Sequence, residues 1–158
     1  MSAKDAFFQK LETNANAQKE GEEAFKRDVL AFQEDTKALI QEIIGWFAGS
    51  PVTASGNTTQ VTEDTDRFEV SNLTLKNGGK TLKITPEGLY YFGVKGSLEV
   101  SIHNPNRAPG TSKFNLHWKD GISKLSGWVI VSAGVGNAPA HRIEFNQENF
   151  FKMITAFA

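Results

Sequence analysis

Glu99 and His117 are the side chains best placed for acid/base chemistry, because a hairpin closed by the loop 104–112 sets them opposite each other on neighbouring strands. A carboxylate beside an imidazole fixes its tautomer and raises its basicity, the minimum that a general base requires. In the same register His103 faces Lys113 and Ser101 faces Asn115, all on the face away from Leu98, Val100 and Ile102. No third group joins the pair as a nucleophile. A carboxylate and a histidine on an exposed sheet face are first an ordinary cross-strand contact, so a hydrolase is an alternative reading and no catalytic residue is assigned. A metal site needs three convergent ligands. His103, His117 and Glu99 come nearest, with His103 two pairs away, so neither metal nor cofactor is expected. His141 opens the last strand after a loop and reads as a solvated turn residue.

A second chemistry is stacking. Tyr90, Tyr91 and Phe92 share strands with Lys83 and Lys95, and single-stranded nucleic acids are bound by a basic groove with aromatic platforms. Tyr90, Phe92 and Val94 also form one alternating row, which is the pattern of a core face. Nucleic acid is therefore the weaker alternative.

The third chemistry is charge. Residues 1–66 carry twelve acids against six bases and residues 67–145 carry ten bases against five acids, so a net charge of −1 hides a helical part near −6 and a sheet near +5. Glu20, Glu23, Asp28, Glu34 and Asp35 lie off the apolar seam of the helical part and are the candidate contacts for a basic protein. Glu99 and His117 are the corresponding candidates on the sheet. The expectation is a non-enzymatic protein-binding domain, of the kind an inhibitor or immunity protein uses to mask a basic toxin. A homodimer through the N-terminal helix is the alternative within that class.

The elements that must position these groups announce themselves by a change of period. Phe8, Leu11, Ala15, Gln18, Glu22, Phe25, Val29, Phe32, Thr36, Leu39, Ile43 and Trp46 keep one alternation of three and four, the seam of a helix. Asn14, Asn16 and Gly21 are poor helix formers grouped within it. The helical segment 1–48 is therefore either broken there, with 22–47 as the firm helix, or continuous, reaching ~70 Å at 1.5 Å per residue. In the second case Phe7, Phe8 and Leu11 need a surface supplied by a partner or a second copy.

Residues 49–66, rich in Thr, Ser, Asn and acids, read as a polar linker. From 67 to 145 the pattern is that of six antiparallel strands, near 67–76, 80–85, 89–103, 112–118, 126–133 and 141–145. Asn77-Gly78 is a hairpin signal that puts Leu73 opposite Leu82, with a bulge near Ser71-Asn72 to absorb the slip in apolar phase. Thr85-Pro86-Glu87-Gly88 reads as a turn that brings Ile84 to Leu89, and Gly96 as a bend. Ile130 should pair with Ile143 and Trp128 with Phe145. Asn146 caps a closing helix, residues 146–158, that buries Phe150, Ile154 and Phe157. The glycine-rich stretch 134–139 joins two strands and reads as a turn.

The fold class is thus α+β in a single domain, 1–158: a long N-terminal helical segment, a six-stranded meander and a short C-terminal helix. At 158 residues with no cysteine, such a domain has a core without disulfides or thiolate metal sites. The polar N-terminus and the lack of a long apolar run point to a cytoplasmic protein with no membrane segment.

Overall fold

The computed structural model describes residues 2–91, 93–134 and 137–158. The chain forms two compact units, one up to Ala31 and the other Phe32–Ala158.

The first unit is helix. Helix α1 (Ala3–Trp46) starts with reciprocal capping: the Ser2 hydroxyl accepts from the Asp5 amide at 3.1 Å, and the Asp5 carboxylate accepts from the Ser2 amide at 3.4 Å. The helix runs without interruption through Asn14, Asn16 and Gly21, so the alternative of a break does not occur. Gln18 donates to Glu22 at 3.4 Å across this stretch. Every residue from Ser2 to Glu23 is exposed.

In the second unit the same helix buries Phe32, Thr36, Leu39, Ile40 and Ile43. It packs on an antiparallel sheet of seven strands in simple meander order, β1 (Thr53–Glu63), β2 (Asp66–Asn77), β3 (Lys80–Tyr91), β4 (Val94–His103), β5 (Thr111–Asp120), β6 (Trp128–Ser132) and β7 (His141–Glu144). The strand beyond the six expected is β1, which occupies the presumed linker 49–66. Its many threonines favour extended backbone, and as an edge strand it needs little apolar surface. It pairs with β2 in unbroken register from Thr53 opposite Lys76 to Glu63 opposite Asp66. The expected bulge at Ser71-Asn72 is therefore no register shift. The Asn57 amide instead bonds the Asn72 side chain at 3.0 Å, and Val70 and Leu73 are both buried on either side of it.

Two hairpins close two residues away from the expected register. The β2–β3 turn is Gly78-Gly79, so Leu73 faces Ile84 and Leu75 faces Leu82. Asn77 stays in the strand because its side chain donates to the Phe157 carbonyl at 2.9 Å. In the β4–β5 hairpin the Asn104 amide bonds the Gly110 carbonyl at 2.7 Å and shortens the loop, so His103 faces Thr111 and not Lys113. A shift of two preserves which face each side chain takes.

The expected turn at Pro86 is an irregularity inside β3. Ile84 faces Val100, the register shifts between Pro86 and Gly88, and the chain reverses near Gly93, where Tyr91 pairs with Val94. The carboxylate of Glu63 accepts from the Leu89 amide at 2.6 Å, and a Cβ on Gly88 would come within 2.5 Å of it. Gly96 lies within β4 and marks no bend between strands. A Cβ there would meet the Phe32 ring at 2.7 Å, so the glycine makes room for that side chain. Phe32 also packs on Trp118 and Trp128, at ring separations of 5.4 and 6.3 Å.

The C-terminal elements follow expectation. Ile130 faces Ile143, and the Phe145 amide bonds the Trp128 carbonyl at 3.1 Å. Asn146 caps helix α2 (Gln147–Met153) by accepting from the Asn149 amide at 2.8 Å. Phe150, Ile154 and Phe157 are buried, and Phe150 joins Trp46, Phe114 and Phe145 in an aromatic cluster. Of the 134–139 turn, Val135 and Gly136 lie outside the described residues. Among the described residues no helix is long and apolar enough to cross a membrane.

Candidate functional site

The sheet face turned away from α1 carries the chemistry, in rows set by the register. Ser97, His117, Val129 and Glu144 form one row, and Thr85, Glu99, Asn115, Val131 and Arg142 the next. Glu99 therefore does not face His117. It faces Asn115 and makes an exposed ion pair with Lys113 at 3.6 Å. The acid/base pair expected from the sequence is not assembled.

His117 has a different carboxylate. Lys119 takes φ 52°, which breaks the alternation of β5 and turns Asp120 toward the His117 ring. The Asp120 side chain is fully buried; one oxygen accepts from the Ile122 amide at 2.8 Å and the other from Arg142 Nε at 3.0 Å. That second oxygen lies 3.9 Å from His117 Nδ1, too far for a hydrogen bond, and among the described residues His117 Nδ1 has no hydrogen-bond partner. Burial lowers the His117 pKa; Asp120 and Glu87 pull it up and Arg142 pushes it down. The net shift favours the neutral imidazole, and the Asp120 carboxylate is paired with Arg142.

Ser97, buried beside His117 in the row, donates to Glu87 at 2.7 Å, and Asn115 donates to the same Glu87 oxygen at 2.6 Å. Serine, histidine and aspartate thus share a neighbourhood, but the serine hydroxyl is held by a carboxylate and is not open to a substrate. Asp120-Gly121 was the missed signal: an aspartate whose side chain bonds the amide two residues on is a turn residue at the end of a strand. Among the described residues, no group of three His, Cys, Asp or Glu could hold a metal ion. His103 is exposed, with Nδ1 3.3 Å from the Thr111 hydroxyl, and His141 is exposed at the start of β7.

Tyr90 and Tyr91, the described members of the aromatic set, lie at the end of β3 near its reversal into β4. Tyr90, expected in the core, is half exposed with φ 61°, and Tyr91 is exposed nearby. The pKa of Tyr91 is raised, by burial first and then by Glu87 and Glu63, so its surroundings are acidic. Lys83 lies farther along β3, beside Ser101 and His103. Phe92 is outside the described residues.

The acidic candidates divide between the two units. In the first, Glu20 and Glu23 are exposed and Asp28 is half-buried. In the second, Glu34 is exposed, while Asp35 accepts from Trp118 Nε1 at 2.8 Å and so helps hold the helix on β5.

At the start of α1, Phe7, Phe8 and Leu11 are large apolar side chains exposed to solvent. Phe7 is 60 %, Phe8 53 % and Leu11 52 % exposed. The Phe7 and Phe8 rings are tilted at 55° to each other with centroids 6.1 Å apart, and the Lys4 ammonium sits 5.5 Å over the Phe8 ring. No protein-family model, curated protein or solved structure matches this chain.

Proposed function

We propose that this protein is a non-enzymatic protein-binding module that engages its partner through the N-terminal stretch of α1. One observation carries the reading: large apolar side chains lie on a helical stretch in which every residue from Ser2 to Glu23 is exposed. Each such side chain left in water forgoes roughly 1.5–3 kcal/mol. Asn14, Asn16 and Gly21 weaken this stretch of helix by propensity, so a protein surface laid against the seam would stabilise it. The polar groups around His117 are read as structural, since Asp120 is engaged with Arg142 and Ser97 with Glu87.

Phe8→Asp with Leu11→Asp tests the reading. The pair should abolish association, whether with a second copy or with a protein captured from the native host, and leave the circular dichroism of the sheet unchanged. A partner retained in full by the double variant would overturn it.

A further inference from the structure

The seam of the first unit assigns heptad positions. With Phe8, Ala15, Glu22 and Val29 at a, and Leu11, Gln18 and Phe25 at d, the flanking e positions are Asp5, Glu12, Lys19 and Lys26. Two acids are followed by two bases, each seven residues from the last. The g positions are Phe7, Asn14, Gly21 and Asp28, which carry a single charge.

That order is self-complementary in one orientation only. In a parallel pair e meets g of the other chain, and Glu12, Lys19 and Lys26 would meet Phe7, Asn14 and Gly21, with no ion pair. In an antiparallel pair e meets e. Placing Ala15 level with Gln18 of the other copy then sets Asp5 beside Lys26 and Glu12 beside Lys19, each twice by symmetry. The same register places Phe8 level with Phe25, which is already half-buried within its own chain, and Leu11 level with Glu22. It also places Ser2, which caps the helix, level with Ala31, the last residue of the unit. The paired length and the first unit coincide.

We propose that residues 2–31 pair with the same segment of a second copy as an antiparallel two-helix coiled coil, with Ala15 level with Gln18. This deepens the protein-binding reading and rests on it. Gln18 and Glu22, hydrogen-bonded to each other on the seam, then lie level with Ala15 and Leu11 of the other copy and place polar groups inside it, at some cost in stability.

The test uses the full chain. Sedimentation velocity at low salt should show a dimer for the native protein. Lys19→Glu with Lys26→Glu makes the whole e row acidic and should raise the dimer dissociation constant at least about tenfold, from four pairs turned repulsive. Adding Asp5→Lys and Glu12→Lys inverts the row and should restore the dimer. Because the chain has no cysteine, orientation is read directly from an oxidised 1:1 mixture of Ala15→Cys and Gln18→Cys. Mixed disulfides support the antiparallel register, and dominant self-crosslinking of Ala15→Cys overturns it. A native protein that stays monomeric to high concentration overturns self-pairing. Docking on another protein through the same seam would still be judged by the Phe8 and Leu11 variant.

Discussion

One helix has two fates. From Phe32 onward the seam of α1 lies against the sheet, with Phe32, Thr36 and Ile43 wholly buried; before Ala31 the same spacing continues with Phe8 and Leu11 more than half exposed. The periodicity is alike on both sides. What differs is the opposing surface: Gly96, Trp118 and Trp128 receive Phe32, and Asp35 anchors to Trp118. An amphipathic pattern states that an element needs cover and leaves open which chain provides it.

Breaking the buried side should cost most. Phe32→Ala should lower the unfolding free energy by about 3–5 kcal/mol in denaturant titration, since it empties a site walled by two tryptophans. Next comes Arg142→Met, which leaves the buried Asp120 carboxylate without its cation; about 3 kcal/mol should be lost in the same titration. Gly96→Ala sharpens the comparison from the opposite wall, because the new methyl meets the Phe32 ring and Trp118. It should cost about 1–3 kcal/mol, and pairing it with Phe32→Leu should recover part of the loss.

A smaller effect should appear with pH. The folded-state pKa of His117 lies below 6.5, so the unfolded chain takes up this proton first and stability falls as pH drops from 6.5 through the folded value. His117→Gln should flatten that part of the stability profile; an unchanged profile would remove His117 as its cause. The smallest effect belongs to the exposed side. Phe8→Ala should change the unfolding of the sheet by less than about 0.5 kcal/mol in dilute solution.

Much of this was legible in the sequence. The seam from Phe8 to Trp46, the Asn146 cap and the Ile130–Ile143 pair depend on local spacing or turn chemistry, and they stand. The two hairpin registers were misjudged by two residues because distant contacts decide them: Asn77 is held by the Phe157 carbonyl and the loop after Asn104 is cinched by Gly110. Parity survived the error, so the core faces were still right. β1 was hidden because an edge strand of threonines lacks the apolar alternation by which strands are recognised. The candidate site suffered most. A shift of two exchanges His117's neighbour from Glu99 to Ser97, and the carboxylate that does approach His117 arrives through a left-handed Lys119.

The meander has a kinetic consequence. Each strand pairs with its neighbour in sequence, so the sheet can zip from hairpin to hairpin with little loop entropy to overcome, and topology of that kind favours fast folding. The receptors of Phe32 are different: Gly96, Trp118 and Trp128 lie far downstream and come together only when β4, β5 and β6 have paired. Docking of the helix therefore belongs to a late step, and Phe32→Ala should speed unfolding far more than it slows refolding.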